Sequence, residues 1–267
     1  MNASELFQAG DLQGALTAAT AELKAKPTDV SGRLLLAELL WFSGQLDRVE
    51  KQLETVSLQS TQGAMTLALY RQILRGELAR EQVLREGRPP EIVSELPEHA
   101  RLTLESLMAA RLGQSEQLRD LLQKASQAQP EVRGVCNGEE FVGIRDLDDR
   151  VAGVLEVITG TGKYYWVPWE NIESLEMEAP KVPLDLLYRR TQIEVSGGPN
   201  GEVYVPTRYV AAADEQLEDA LLLGRATDWI GEEGELVQGR GLRTLLLGDK
   251  DLPVMEIQTL SFASSEA

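Results

Sequence analysis

The feature that most limits the fold of this chain is a glycine turn that recurs through its first half. Gly10, Gly44, Gly76 and Gly113 are each followed by a polar residue and are separated by 34, 32 and 37 residues. These intervals bracket the 34-residue period of tetratricopeptide-type helix pairs. Glycine suits the left-handed backbone that joins two antiparallel helices. The pattern predicts that residues 1–130 form a tetratricopeptide-like helical-repeat domain, an alpha-alpha superhelix.

Prolines mark the ends of two of the predicted helix pairs. Pro27 and Pro130 each follow a repeat glycine by 17 residues, where each is able to end a second helix. The three prolines within residues 84–99, LREGRPPEIVSELPEH, interrupt the pattern. We expect an ordered loop there, carrying His99, between the third helix pair and the last.

Stacked helix pairs form a curved solenoid, and its concave side is suited to a partner helix or an extended peptide. Phe7, Leu34, Trp41 and Ile73 occupy positions that would lie on or near this face. They are our candidate partner-binding residues. The alternative interpretation is that all four belong to the ordinary core between the helices.

From residue 131 onward the pattern changes to short strands around glycine turns. Val151–Ile158 and Lys163–Trp169 predict one hairpin, and two more are expected around residues 197–201 and 248–251. Short helices are expected over Asn171–Glu178 and Glu215–Leu222. Residues 131–267 are thus predicted to be a second domain, antiparallel, β-rich and of the α+β class.

The charge is concentrated in this second half. Residues 131–267 hold 26 acidic and 12 basic side chains, against 17 and 14 in residues 1–130. Such an acidic surface repels a phosphate backbone, so nucleic acid is not an expected partner. The longest apolar run, 34–42, is far shorter than the roughly 20 residues of a membrane span, and no membrane insertion is expected. A single cysteine fits a reducing compartment, and we expect a cytoplasmic protein.

Aromatic side chains cluster after Gly160-Thr161-Gly162-Lys163. A phosphate-binding loop would need a glycine five residues before Gly162 and Ser or Thr after Lys163, and neither is present. On a strand, Tyr164 and Trp166 would share one face and Tyr165 the other. We expect a core anchor here, and a partner surface is the alternative.

No set of side chains predicts catalysis or a cofactor. His99 and Cys136 are the only residues of their types, so they cannot build a zinc site of the His/Cys kind within one chain. The run Arg145–Arg150, RDLDDR, lacks the spacing of a calcium loop, and we expect local ion pairs there. Arg208 is expected to pair with a buried acid. Arg225 is expected to pair with Asp228, beside Trp229 as an anchor.

Four motifs in the second half together resemble the ImpE family, also called TagJ or SciE. They are CNGEEFVGIRDLDDRVAGVLEVITGTGKYYWVPWENIESLEME, VYVPTRY, LGRATDW and GLRTLLLGDKDLPVMEI, in that order. The resemblance implies a non-catalytic accessory protein of type VI secretion. It also implies that the protein binds the N-terminal helix of the small sheath subunit and assists a ClpV-type unfoldase in recycling contracted sheath.

The residues of these motifs that we single out are expected to be structural: Arg145, Asp146, Asp148, Asp149, Arg150, Tyr165, Trp166, Pro168, Pro206, Arg225, Asp228 and Trp229. The hypothesis of a different class is an enzyme or a small-ligand-binding protein. Its site would be built in the second half from Asp146, Asp148, Arg208 and Arg225.

Overall fold

The computed structural model describes residues 1–59, 64–93, 95–198, 200–212, 215–231 and 235–263. Its fold is α+β, as predicted, with a tetratricopeptide-like array of helices followed by an antiparallel sheet. The helices of the first segment are α1 (Ala3–Ala9), α2 (Leu12–Ala25), α3 (Val30–Phe42), α4 (Leu46–Gln59), α5 (Ala64–Glu81), α6 (Glu98–Arg111) and α7 (Ser115–Ala128). None of the helices in the described ranges is long and apolar enough to cross a membrane.

Side-chain caps and glycine turns set the first helix boundaries. Asn2 caps α1 through a capping box with Glu5, and Gly10 ends the helix with a φ of +91°. The Asp11 carboxylate then accepts a hydrogen bond from Gly14 N at 2.6 Å and starts α2. Gly44 and Gly113 also have positive φ, at α3–α4 and α6–α7. These three glycines confirm the turn prediction.

Gly76 is the exception, and the turn predicted there is wrong. It lies inside the continuous helix α5, which packs against the sheet. A Cβ at this position would lie 2.4 Å from Ile158 Cγ2. Glycine is therefore needed at residue 76 for a close approach between helix and sheet, not for a change of chain direction.

The segment between α5 and α6 is more regular than the predicted loop. A π-helical turn, Gln82–Glu86, extends α5, and β1 (Glu91–Ile92) pairs in parallel with a strand of the second segment. His99 lies in the first turn of α6, not in the loop. Ser94 lies outside the described residues.

The second segment forms one large sheet and two small ones. Its strands are β2 (Arg133–Cys136), β3 (Glu139–Val142), β4 (Ile144–Asp146), β5 (Val154–Thr159), β6 (Tyr164–Pro168), β7 (Ile172–Met177), β8 (Tyr188–Val195), β9 (Gly201–Pro206), β10 (Thr227–Ile230), β11 (Gln238–Gly241), β12 (Thr244–Leu247), β13 (Lys250–Pro253) and β14 (Thr259–Phe262). The nine-stranded sheet has the order β1-β6-β5-β9-β8-β7-β14-β2-β3, and all its pairs except β1–β6 are antiparallel. Strands β13-β12-β4 form a second sheet, and β10–β11 form a ribbon.

The three predicted hairpins are present as β5–β6, β8–β9 and β12–β13. Pro199, within the second predicted turn, lies outside the described residues. The helix predicted over Asn171–Glu178 is wrong, because β7 occupies it and buries Ile172, Leu175 and Met177 on the sheet. The helix predicted over Glu215–Leu222 is limited to α8 (Asp219–Leu222).

Two apolar clusters cover the two faces of the large sheet. One joins the helices to the face that carries Tyr164, Trp166 and Tyr188, and the other lies between the opposite face and the small β4–β12–β13 sheet. The division predicted at residues 130/131 falls between α7 and β2. Residues on both sides of that division contribute to the first cluster, so the helices and the sheet share a core.

Candidate protein-binding site

The concave face of the helical array is covered by the large sheet. Trp41 and Ile73 are each only 1% exposed, and both belong to the core that joins helices to sheet. Trp41 Nε1 donates a hydrogen bond to Tyr188 Oη at 2.9 Å. The prediction that these two residues face a partner is therefore wrong, because the second half of the same chain occupies the groove that a free-standing repeat would leave open.

Phe7 and Leu34, the other two candidates, are half-buried and pack against the same core. The Phe7 ring lies 5.1 Å from the Phe42 ring, centroid to centroid. Both side chains thus serve contacts within the chain. A partner-binding surface has to be sought on the outer side of the helices.

A cleft of about 640 Å³ lies there, between α4 and α5. Its α5 wall consists of residues at helical spacing from Arg71 to Ala79, continued by Gln82 of the π-helical turn, and α4 contributes Glu50 and Glu54. Positions i, i+3, i+4, i+7 and i+8 of a helix lie on one face, which is why this part of α5 presents a continuous stripe. We call this cleft the α4–α5 groove.

The floor of the α4–α5 groove is apolar and partly open. Leu74 and Ala79 are buried, whereas Leu78 is 36% exposed. Leu78 also lines a second cleft beside the α3–α4 turn, so both depressions share this side chain. An exposed leucine flanked by apolar floor and charged rims is typical of a docking position for an amphipathic helix.

The rims of the groove carry charges that make no ion pair within the described ranges. Glu50 and Glu54 are exposed on the α4 side. From the α5 side, Arg71 donates one hydrogen bond across to α4, to Ser57 Oγ at 3.2 Å, and Arg88 donates one to Gln82 Oε1 at 2.8 Å. These charged groups are available to a partner.

The charged side chains that a catalytic site would need are instead buried between α5 and the sheet. Glu156, fully buried on β5, accepts hydrogen bonds from Arg80 Nε at 2.8 Å and from Tyr164 Oη at 2.5 Å. Arg243 Nη1 lies 3.1 Å from its second oxygen. Burial alone would raise the pKa of Glu156, but the two arginines outweigh it and lower the pKa to about 2. The carboxylate is therefore a structural anion.

The RDLDDR run makes local ion pairs, as the sequence indicated. Asp148 receives a bidentate contact from Arg150, and Asp149 pairs with Arg145 at 2.7 Å. Asp148 also accepts hydrogen bonds from the backbone N–H groups of Arg150 and Gly239. The role of these acids is to fix the loop between β4 and β5 and to hold β11 beside it.

Asp146 is fully buried and pairs with Arg243, a residue that the sequence did not single out. The Asp146 carboxylate also accepts hydrogen bonds from Tyr209 Oη at 2.9 Å and from Asp148 N at 2.9 Å. Because Arg243 also contacts Glu156, it connects the RDLDDR run to the buried cluster under α5.

Among the residues that the structure describes, Arg208 and Arg225 do not have the acidic partners that were predicted. Arg208 donates to Phe42 O at 2.8 Å and to Leu222 O, and burial lowers its pKa to about 10. Arg225 donates to the carbonyl oxygens of Phe7 and Gln8 at 3.1 and 3.0 Å. Both guanidinium groups therefore bind carbonyl oxygens at the C-terminal ends of α1 and α3, where cations are favoured.

The other residues of the GRATDW and aromatic motifs also make contacts within the chain. Asp228 lies 3.6 Å from Arg240, and Trp229 remains 37% exposed while its ring packs on Tyr209 at 5.5 Å. Trp166 is fully buried, and its Nε1 donates to Tyr164 Oη at 2.7 Å. Tyr165 faces the opposite cluster. Pro168 and Pro206 end strands β6 and β9.

The proposed catalytic set is not assembled. Asp146, Asp148, Arg208 and Arg225 each have a separate set of partners, so they do not converge on one cleft. His99, 2% exposed, binds Glu170 at 2.7 Å through Nε2. Burial and Glu139 raise the pKa of Cys136, which makes its thiol less reactive. Within the described ranges, no group of three His, Cys, Asp or Glu side chains is placed to hold a metal ion.

The sequence analysis did not identify the residues that form the buried ion cluster between α5 and the sheet. Arg80, Glu156 and Arg243 are far apart in the chain, and the only hint was a glutamate inside the apolar run VLEVI at residues 154–158. The turn wrongly predicted at Gly76 kept Leu78, two residues later, from being assigned to a helix face. Its helical spacing from Leu74 and Arg71 was the pattern that would have placed it on a groove.

Comparison with known proteins agrees with both segments of the fold. Residues 138–261 match the family model described as ImpE protein, and residues 6–73 match a tetratricopeptide repeat model. The chain is 27% identical to protein VPA1032 from Vibrio parahaemolyticus, whose crystal structure superposes with a TM-score of 0.90 over 98% of this chain and 97% of that one.

A relative of assigned role matches the full length. The type VI secretion system accessory component TagJ of Pseudomonas aeruginosa (strain PAO1) is 30% identical over 267 residues, which cover 100% of this chain and 93% of that protein. The similarity thus includes the helices, the RDLDDR loop and the sheet, and is not limited to one shared module. This chain belongs to the ImpE family, the family of the accessory component TagJ.

Proposed function

We propose that this protein is a non-catalytic accessory component of type VI secretion that binds a helical segment of another component in the α4–α5 groove. The partner that the family resemblance implies is the N-terminal helix of the small sheath subunit. A ClpV-type unfoldase that recycles contracted sheath is the second implied partner. We infer a cytoplasmic location, in keeping with the single cysteine.

The observation that carries this proposal is the groove itself. It combines a buried apolar floor, an exposed leucine and rim charges that make no ion pair within the described residues. A helix that lays its apolar face on such a floor gains from burying Leu78, and its polar flanks meet the rims. The groove lies wholly within residues 1–130, so the helical segment supplies the binding surface.

The non-catalytic part of the proposal rests on how the buried polar groups are used. Asp146 and Asp148 are each paired with an arginine, and Arg208 and Arg225 bind carbonyl oxygens at helix ends. Reactive groups of enzymes instead converge on a cleft with a place for the substrate. This is why we favour a binding function over the enzyme hypothesis.

The test uses the full-length chain and the small sheath subunit, with and without its N-terminal helix, in isothermal titration calorimetry. We expect binding that requires the helix and that weakens at least about tenfold in Leu78→Glu, because a charge would lie on the apolar floor. Met108→Glu is the matched control, since Met108 is exposed on α6 and does not line the groove.

Each result bears on a different part of the proposal. If the intact subunit does not bind the wild-type chain, the partner is wrong. If it binds and Leu78→Glu behaves like Met108→Glu, the partner stands and the groove is the wrong surface. The same titration with the unfoldase tests the second partner separately.

A further inference from the structure

The two rims of the α4–α5 groove carry opposite charges. The α4 rim has Glu50 and Glu54, one helical turn apart, and the α5 rim has Arg71 and Arg75, also one turn apart, with Arg88 beyond them. At one end of the groove, Arg71 reaches across and donates a hydrogen bond to Ser57 Oγ on α4. Neither glutamate is paired with an arginine across the groove. The groove is therefore electrostatically asymmetric across its width.

The groove is long enough to hold a short helix along its axis. From Arg71 to Gln82 the α5 wall rises about 16 Å at roughly 1.5 Å per residue, which corresponds to about three helical turns. The apolar residues Leu74, Leu78 and Ala79 run along the middle of this length. A bound helix would place its apolar face there, and its left and right flanks would meet different rims.

Reversing the direction of a helix in a groove, with the same face down, exchanges its two flanks. A helix with basic side chains on one flank and acidic ones on the other therefore matches these rims in only one direction. In the other direction both flanks meet like charges, which is unfavourable across an interface. Opposite rims thus select a direction, whereas rims of one sign would not.

We propose that the α4–α5 groove takes an amphipathic partner helix whose basic flank lies along Glu50 and Glu54 and whose acidic flank lies along Arg71 and Arg75, and that these rims fix its direction. The inference rests on the proposed function only in assigning the groove to a helical ligand. It adds the charge pattern of that ligand and the way in which it is oriented.

The probe is a designed helical peptide of 18 residues with a leucine stripe, lysines along one flank and glutamates along the other. Three variants of the full-length chain are compared with the wild type. Glu50→Lys/Glu54→Lys makes both rims basic and Arg71→Glu/Arg75→Glu makes both acidic. The fourfold variant exchanges the rims and keeps the net charge of the wild type.

We expect the wild type and the fourfold variant to bind the peptide with similar affinity. Each twofold variant should bind about tenfold more weakly, since one flank is then repelled in either direction. This difference should shrink in high salt, because the rim charges are exposed. A control peptide with lysines on both flanks should bind in both directions along the groove.

Direction is read from a spin label placed at either end of the peptide. Met65, exposed at the start of α5, supplies a methyl signal near the Arg71 end of the groove. In the wild type, the label at one end of the peptide should broaden the Met65 signal. In the fourfold variant, the label at the opposite end should broaden it. Thermal unfolding of every variant, expected within a few degrees of the wild type, shows that the exposed substitutions leave the fold intact.

Two results would overturn the inference. One is that the twofold variants bind the peptide as tightly as the wild type. The other is that the fourfold variant, folded, binds in the original direction or not at all. Binding of the designed peptide does not depend on the sheath subunit, so failure of the proposed partner and failure of the rim mechanism are distinguished.

Discussion

Neutralising Glu156 tests whether the buried ion cluster stabilises the packing of α5 on the sheet. Glu156→Gln removes the anion that faces Arg80 and Arg243, both of which are buried. Leaving a buried charge without its partner costs about 3–5 kcal/mol. We expect Arg80→Met to cost a similar amount, since Glu156 then keeps only Arg243.

Combining the two substitutions makes the prediction sharper. In the double variant, Arg243 still has Asp146 as its partner, and both sides of the Arg80–Glu156 contact are removed. Glu77, which lies 3.3 Å from Arg80, loses that partner equally in Arg80→Met and in the double variant. The loss of unfolding free energy should therefore be smaller than the sum of the single losses by at least about 1 kcal/mol. Urea unfolding at pH 7.5, followed by tryptophan fluorescence and circular dichroism, measures each value.

The pH dependence gives an independent check, because the folded pKa of Glu156, about 2, lies below its ordinary value of 4.5. A lowered carboxyl pKa contributes stability that is present above pH 4.5 and is lost as the pH falls through 2. The difference between wild type and Glu156→Gln should be constant above pH 4.5 and should shrink below it. Arg71→Met, an exposed arginine of the same helix, should change stability by less than about 0.5 kcal/mol.

The reasoning is refuted if Glu156→Gln costs under about 1 kcal/mol at pH 7.5, or if the single losses add in the double variant. The first result would mean that solvent reaches the cluster and compensates the arginines. The second would mean that Arg80 and Glu156 are stabilised by other groups and not by each other. In either case α5 would be held on the sheet by apolar packing alone.

Three further predictions concern single buried positions. Burial raises the pKa of the Glu38 carboxyl from 4.5 to about 7. The folded state therefore binds the carboxyl proton more tightly than the unfolded state, and the stability of the wild type falls as the pH rises from 4.5 through 7. In urea unfolding, Glu38→Gln should be more stable than the wild type by up to about 3 kcal/mol at pH 8 but not at pH 4.5. Trp166→Ala should lower the unfolding free energy by about 3–5 kcal/mol, and a folded variant that had lost only partner binding in calorimetry would contradict the core assignment. Gly76→Ala should be destabilising by about 1–3 kcal/mol in thermal melting despite the better helix propensity of alanine, and Ile158→Ala, which removes the clashing Cγ2, should cost less in the Gly76→Ala chain than in the wild type.

The parts of the fold that were predictable are those encoded within a few residues. Gly10 and Gly44 ended helices because a left-handed residue is needed there, and Asp11 capped the next helix with its own side chain. The hairpin turns followed from local glycines for the same reason. Such contacts are present in the sequence itself, since both partners are neighbours in the chain.

The predictions that were wrong concern residues whose partners are distant in the sequence. Arg225 was expected to pair with Asp228, three residues away, but it binds carbonyl oxygens at the end of α1, more than 200 residues earlier. Arg208 binds the end of α3 in the same way. A backbone carbonyl at a helix end has no sequence signature, so no pattern of acids and bases could have identified these partners.

The same long-range contacts involve the concave face of the repeat, where the sequence predicted that a partner would bind. Arg208 and Arg225, in the second segment, bind carbonyl oxygens at the C-terminal ends of α3 and α1. Asp219, also in the second segment, accepts a hydrogen bond from Leu12 N at 2.7 Å at the start of α2. Trp41 and Ile73 are buried beneath the sheet, so the inner side of the helical array packs against the rest of the same chain. Under the function proposed above, a partner helix binds an outer surface, and the α4–α5 groove combines an open apolar floor with rim charges that have no ionic partner among the described residues. This is why a chain built on a repeat fold would bind its partner through one pair of neighbouring helices and not through the curvature of the whole array.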